Sequence, residues 1–201
     1  IANMISDKDL NSNSQPILGT VWRLLIKRDI IENNDIIFNR NIVYMEDLLF
    51  CIQLLLRSNK VCIDNGYYYH YMQNAGSATK IYRENFHKLL LEVYECILAE
   101  LINVSKYSQL ETRMNIRYVE IFLRCVLNEV NPTNKKSLLI KLRYIKSLCN
   151  DFKLQEILED INPNGYTFRK KMILRSIRRK SAFLLYAYYF AISRIFSRTT
   201  I

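Results

Sequence analysis

The stretch from Tyr82 to Leu101, YRENFHKLLLEVYECILAEL, has the hydrophobic period that decides the fold of most of this chain. Apolar residues recur along it at intervals of three and four positions, as they do on the buried face of an amphipathic helix. The residues of this face are Tyr82, Phe86, Leu89, Leu90, Val93, Ile97, Leu98 and Leu101. We therefore predict a helix here.

The same period continues toward the C-terminus and also occurs in one earlier segment. It predicts further helices at Leu110 to Val130, Lys135 to Cys149 and Phe152 to Leu158. Upstream, Met45 to Ser58 has the same spacing, with Leu48, Leu49, Ile52, Leu55 and Leu56 on one face. Helices should therefore make up most of the fold.

Two short runs before Tyr82 favour strands instead. Val61 to Ile63 is rich in β-branched residues, and Tyr67 to Tyr71 is aromatic. Asp64-Asn65-Gly66 lies between them and is typical of a turn, so the pair predicts a strand, a turn and a second strand. We thus expect an α+β fold that is mostly α. Its parts would be a mixed region at 1–80, a helical bundle region at 81–160 and a basic amphipathic tail at 161–201.

The net charge of +10 in this chain of 201 residues is concentrated in that tail. Nine Lys and Arg residues follow Asp160 with no acidic residue among them, whereas the preceding 20 basic and 19 acidic residues nearly balance. Such asymmetry favours an attachment segment over a nucleic-acid interface, which usually spreads its charge over a folded face. We expect no nucleic-acid partner.

The segment from Tyr166 to Ile201 should lie on an anionic membrane surface without crossing it. Its charge-free run, Ser181 to Ser193, has 13 residues, fewer than the ~20 that a helical span needs. Aromatic residues in the run suit the headgroup boundary, and the cations before it would attract acidic lipids. The alternative is a basic helix that packs on the protein through Met172, Ile173, Leu174 and Ile177.

The five cysteines predict buried thiols in a reducing compartment. They are odd in number and widely spaced, and no CxxC pair occurs. A zinc site usually needs such close-spaced pairs, so none is expected. Ser77-Ala78-Thr79-Lys80 matches the SxxK pattern of serine enzymes, but no KTG follows it. Phosphate-binding glycine loops and a GxSxG elbow are absent from the sequence as well.

Glu46-Asp47 is the most informative acidic pair. Taken alone, two carboxylates at the start of an apolar helix simply complement the positive N-terminal end of its dipole. Their neighbours in the sequence favour more than that. In order, they are GTVWRLLIKRD at 19–29, Ile37-Phe38, EDLLF at 46–50, YYYHY at 67–71 and GSAT at 76–79.

This ordered set resembles the second half of family 2 glycosyltransferases of the GT-A fold, which build bacterial capsule, O-antigen and exopolysaccharide. The resemblance covers about Gly19 to Lys80, and Glu46 to Phe50 fits the family's E-D-x-x-F segment. Two departures are Leu24-Leu25-Ile26, where Lys-Leu-Tyr is usual, and His70, where Arg is commoner. The resemblance implies the C-terminal part of a GT-A-like α/β catalytic domain, followed by a helical region.

The resemblance also implies an inverting sugar transfer from a nucleotide-sugar donor to a glycan or lipid-linked hydroxyl. Asp47 would be the general base and Glu46 would shape the pocket. Trp22 and Tyr69 would offer apolar faces to a sugar ring, or belong to the core instead. His70 would approach the diphosphate, or have a structural role. The enzyme would act in the cytoplasm, on the inner face of the cell membrane.

A divalent metal, Mg²⁺ or Mn²⁺, is implied too, but its expected ligands are not in this chain. Asp7-Lys8-Asp9 lies in a short polar lead and lacks the strand that precedes the family's Asp-x-Asp. We therefore expect the chain to be the C-terminal part of such an enzyme, without its nucleotide-binding half. The alternative from another functional class is a non-catalytic helical module that attaches to a membrane or a partner protein through its basic tail.

Overall fold

Helices are the regular elements of the part of the chain that the structure describes. The computed structural model describes residues 1–6, 19–64, 66, 68–70, 72, 81–164 and 166–198. A short 3-10 helix spans Val21–Arg23. The α-helices are α1 (Ala2–Ile5), α2 (Arg28–Glu32), α3 (Glu46–Arg57), α4 (Phe86–Asn103), α5 (Tyr107–Glu129), α6 (Leu138–Cys149), α7 (Phe152–Asp160), α8 (Phe168–Arg178) and α9 (Ala182–Arg198).

The predicted α+β class is wrong, because no strand occurs among the described residues, and a GT-A-like α/β domain is excluded with it. Residues 60–64, 66, 68–70 and 72 are irregular, while Asn65, Tyr67 and Tyr71 of the predicted hairpin lie outside the described residues. An isolated two-stranded hairpin is marginal in water unless a third strand or a packing surface covers it. Here Val61 is 63% exposed and Ile63 is 90% exposed, so these apolar side chains do not pack on the described part of the protein.

The five helices predicted from the hydrophobic period are confirmed as α3 to α7. The start of α4 differs, since it begins at Phe86 rather than Tyr82. The backbone N–H groups of Tyr82 and Arg83 donate instead to the side chains of Thr133 (2.7 Å) and Asn128 (2.9 Å). Asn85 has a left-handed backbone with φ of 56°. Side-chain hydrogen bonds therefore delay the helix by one turn.

The chain divides into two compact units. The first comprises residues 1–75 and 88–117 and contains α3. Within it Glu100 of α4 accepts hydrogen bonds from Gln53 (2.6 Å) and Arg57 (2.9 Å) of α3. Ser6 donates to the carbonyl of Arg113 at 2.9 Å, which fastens the N-terminal residues to α5.

The second unit comprises residues 76–87 and 118–201. In it α9 packs on both α6 and α8, and α7 packs on α8. Buried apolar side chains fill this unit: Val119, Phe122, Val126, Ile145, Leu148, Leu154, Leu158, Leu174, Ile177 and Leu185. None of the described helices is both long and apolar enough to cross a membrane.

The cysteines follow the buried-thiol prediction with one exception. Cys51, Cys125 and Cys149 are buried, and Cys96 is half-buried. Burial raises the pKa of Cys125 to about 12, so its thiol stays protonated at neutral pH. Cys62 is exposed, contrary to expectation. It lies in the run that was predicted to be a strand, between Val61 and Ile63, which are exposed as well.

The N-cap of α7 gives a stability test. Asp151 accepts a hydrogen bond from the N–H of Leu154 at 2.8 Å and another from the Tyr118 hydroxyl at 3.2 Å. Asp151→Ala should lower the free energy of unfolding by about 1–2 kcal/mol, because the cap bond is lost. The matched control is Ser137→Ala, since Ser137 is the N-cap of α6 but makes no side-chain cap bond. Equal losses in urea unfolding of the two variants would contradict this assignment.

Candidate functional site

Asp47 lies in the first turn of α3, directly after Glu46. Its carboxylate accepts a hydrogen bond from the backbone of Val21, in the short 3-10 helix. Only an N–H can donate such a bond, so the amide of Val21 holds the carboxylate. This hydrogen bond joins two segments that are 26 residues apart in the sequence.

The pKa of Asp47 is raised above its usual value. Burial is the largest cause, the negative charge of Glu46 adds to it, and the Val21 hydrogen bond opposes both. The positive N-terminal end of a helix favours the ionised form of a carboxylate. Desolvation outweighs that effect, so the carboxylate takes up a proton more readily than an exposed aspartate does.

A second carboxylate with a raised pKa shows why Asp47 is the better candidate. Glu129 is only 2% exposed, and Asn134 donates to its carboxylate at 3.0 Å. Burial raises its pKa as well, while Asn134, Lys136 and Lys141 act in the opposite direction. Asp47 is only half-buried, so a ligand can reach it. Glu129 therefore has a structural role, whereas Asp47 can act on a bound molecule.

The segment at 19–26 lies against α3 because of its small first residue and its apolar side chains. A Cβ on Gly19 would lie 2.9 Å from the Cα of Leu48, which is closer than two carbon atoms can pack. Further along, Val21, Leu24 and Ile26 pack on a buried cluster formed by Ile36, Phe50 and Leu54. The backbone amide of Val21 is thereby fixed beside α3.

Two aromatic residues that the sequence singled out are in contact. The rings of Trp22 and Tyr69 stack with centroids 4.6 Å apart and planes 28° apart. Trp22 is 39% exposed and Tyr69 54%, so neither is a core residue. The guanidinium of Arg23 lies 5.6 Å from the centre of the Trp22 ring, and its Nε donates to the Thr20 hydroxyl at 2.9 Å. The pair forms an accessible aromatic surface with a cation beside it.

Arg23 and Met45 are features of the site that the sequence did not reveal. Both Arg23 and Asp47 act on the pKa of Cys51, which burial raises to about 11. Arg23 therefore lies within electrostatic range of the same turn of α3 as Asp47. Met45, just before Glu46, has a left-handed backbone with φ of 61°. Its sulfur accepts a hydrogen bond from Nη2 of the buried Arg117 at 3.1 Å.

The other predicted residues are less closely tied to Asp47. Glu46 is half-buried and acts through its charge. His70 follows Tyr69 and is exposed, so its approach to a diphosphate stays a prediction. A surface depression lies in the same unit but is lined by other residues, among them Asn39, Asn41, Glu92, Glu95 and Cys96. The described residues contain no group of three or more His, Cys, Asp or Glu side chains that could hold a metal ion.

No known protein family, curated protein or solved structure matches this chain. The site offers a partly buried carboxylate with a raised pKa, a backbone donor that orients it, and a stacked aromatic pair attached next to that donor. Such a set can take a proton from a hydroxyl and can hold the apolar face of a ring.

The close approach at Gly19 can be tested by substitution. Gly19→Ala should lower the free energy of unfolding by about 1–3 kcal/mol, because the new methyl group meets the backbone of Leu48. Gly66→Ala is the matched control, since its methyl group would meet only the end of the exposed Tyr68 side chain, which can move. Thermal and urea unfolding measure both effects. A Gly19→Ala variant as stable as Gly66→Ala would contradict the packing described here.

Proposed function

We propose that this chain takes part in glycosyl transfer, with Asp47 as the general base. The observation that supports this most strongly is the joint placement of the Asp47 carboxylate, the Val21 amide and the stacked Trp22 and Tyr69 rings in one unit. The order of the sequence motifs suggested these residues. The proposal concerns the reaction and the site only, since the GT-A-like fold is excluded.

The chemistry follows from the state of Asp47. A hydroxyl group is a poor nucleophile until a base removes its proton in the transition state. Its oxygen then forms the new bond to the anomeric carbon while the bond from that carbon to the nucleoside diphosphate breaks. The proton passes to the Asp47 carboxylate, and partial burial with a raised pKa favours that transfer. The amide of Val21 keeps the carboxylate in position.

The aromatic pair would bind the sugar. The C–H face of a sugar ring packs well on an aromatic ring, and the exposed surfaces of Trp22 and Tyr69 are available for that contact. Arg23 lies beside Trp22 and has a permanent positive charge that suits an anionic group on the donor. A nucleotide-sugar donor and a glycan or lipid-linked acceptor are the partners that we propose.

A divalent cation would neutralise the departing diphosphate in such a reaction. The described residues do not supply a set of ligands for it, and we assign no step to a metal in this chain. We further propose that the reaction takes place in the cytoplasm at the inner face of the cell membrane, where a lipid-linked acceptor is found. A non-catalytic attachment module is the second candidate, and the outer face of α9, described below, favours it.

Removal of the base should abolish most of the turnover. In the enzymatically active protein, Asp47→Asn should lower the rate of sugar transfer by roughly 10²–10⁴-fold while donor binding persists. The control is Asp35→Asn, since Asp35 is exposed and left-handed, a conformation that asparagine also tolerates. Release of nucleoside diphosphate measures the rate, and calorimetry measures donor binding. An Asp47→Asn enzyme with the wild-type rate would contradict the proposal.

The rate should also depend on pH in the acid range. A base must be ionised to accept a proton, so kcat should fall as the pH drops through the raised pKa of Asp47. The midpoint should lie above the usual range of an aspartate. Glu46→Gln should move this midpoint downward, because the charge of Glu46 contributes to the raised pKa. A midpoint that is unchanged in Glu46→Gln would show that another group controls the profile.

A further inference from the structure

Helix α9 has two different faces. Its inner face is formed by Ala182, Leu185 and Tyr189, all buried in the second unit. Its outer face carries apolar side chains that the protein does not cover. Phe183 is 63% exposed, Leu184 51% and Phe190 38%. Ala187 and Ala191 are exposed between and after them at helical spacing, so the outer face is a continuous apolar stripe.

Positive charge accompanies this stripe along the chain. Seven cations occur from Arg169 to Lys180, through α8 and the turn that leads into α9. Lys171, Arg175, Arg179 and Lys180 are exposed. At the other end of the stripe, the guanidinium of Arg194 lies 5.1 Å from the centre of the Phe190 ring. No acidic residue follows Asp160, so the tail has no carboxylate to neutralise these charges.

One of these cations already has a structural role. Arg178 donates hydrogen bonds to the carbonyls of Leu158 and Ile161 at the end of α7. Lysine and arginine side chains commonly satisfy the last carbonyls of a helix in this way. Arg178 therefore holds α8 against α7 and should not be counted among the charges that are available to a ligand.

We propose that the outer face of α9, together with the exposed cations of α8 and of the turn after it, binds the surface of an anionic lipid bilayer. An apolar stripe with Arg194 against its end, and with further exposed cations on the helix that packs on α9, matches both layers of such a surface, since acyl chains accept Phe and Leu while acidic headgroups attract Lys and Arg. The helix would lie in the plane of the interface. This inference is independent of the chemistry at Asp47 and is tested separately from it.

Charge and apolar surface together distinguish this occupant from others. A nucleic acid would use the cations but would leave Phe183 and Leu184 in water, because it needs aromatic rings interleaved with the basic residues for stacking. A protein partner would need an acidic and apolar surface of complementary shape. A bilayer with acidic lipid requires neither interleaved aromatic rings nor a surface of complementary shape. It accommodates the apolar stripe and the cations at once.

The experiment is co-sedimentation of the full chain with vesicles of phosphatidylcholine, alone or with added phosphatidylglycerol. The chain should pellet with the acidic vesicles and remain in solution with the neutral ones, and added NaCl should release it. Lys171→Gln with Arg175→Gln should weaken the partition by about an order of magnitude, because each cation near an acidic membrane surface adds to the affinity for it. Phe183→Gln with Leu184→Gln should weaken it similarly by removing the apolar contact.

Matched variants test whether position matters. Arg143→Gln with Lys146→Gln removes the same charge from exposed residues of α6, in the same unit. Phe152→Gln removes a phenylalanine that is 82% exposed at the start of α7. Both controls should keep wild-type binding. Circular dichroism verifies that every variant retains its helices, which is expected because all the altered side chains are exposed.

Four outcomes would overturn the proposal. The first is equal binding to neutral and acidic vesicles, and the second is an equal loss of binding in the α6 and α8 charge variants. The third is full binding by Phe183→Gln with Leu184→Gln, since the apolar stripe would then lie away from the lipid. Binding to single-stranded RNA with the same dependence on Lys171 and Arg175, and none to vesicles, would assign the surface to nucleic acid.

Discussion

A hydrogen bond from the backbone of Val21 to the Asp47 carboxylate connects the short 3-10 helix to the start of α3. The segment that it joins to α3 has this 3-10 helix as its regular secondary structure. Gly19 permits the close approach to Leu48, and the cluster around Phe50 holds the segment from its other end. The position of Trp22, and through it the contact with Tyr69, depends on this attachment.

The hydrophobic period predicted the helices well because it reports a local property. In α3 to α7 the buried side chains recur at the helical spacing that the sequence shows. The prediction of a hairpin was wrong because a strand depends on contacts with residues that are distant in the sequence. A strand needs a partner to satisfy its backbone groups, and β-branched or aromatic residues such as Val61 and Ile63 cannot supply one. Both side chains are exposed, and no strand among the described residues pairs with their segment.

The sequence predicted which residues form the candidate site, but it did not predict the pKa of Asp47 or the contacts of the backbone. The order of the motifs singled out Asp47, Trp22 and Tyr69, which the structure places in one unit. The raised pKa of Asp47 was not predictable, because desolvation depends on which side chains cover the carboxylate. The roles of the Val21 amide, Gly19 and the left-handed Met45 were hidden as well, since all three depend on backbone positions.

Nuclear magnetic resonance can show whether the Val21 amide holds a partly buried Asp47 carboxylate. The amide proton of Val21 should shift downfield as Asp47 ionises, with a midpoint above the usual range of an aspartate. In Asp47→Asn this titration should vanish, while other amide protons of α3 keep their positions. A Val21 amide that does not titrate in the acid range would contradict the account.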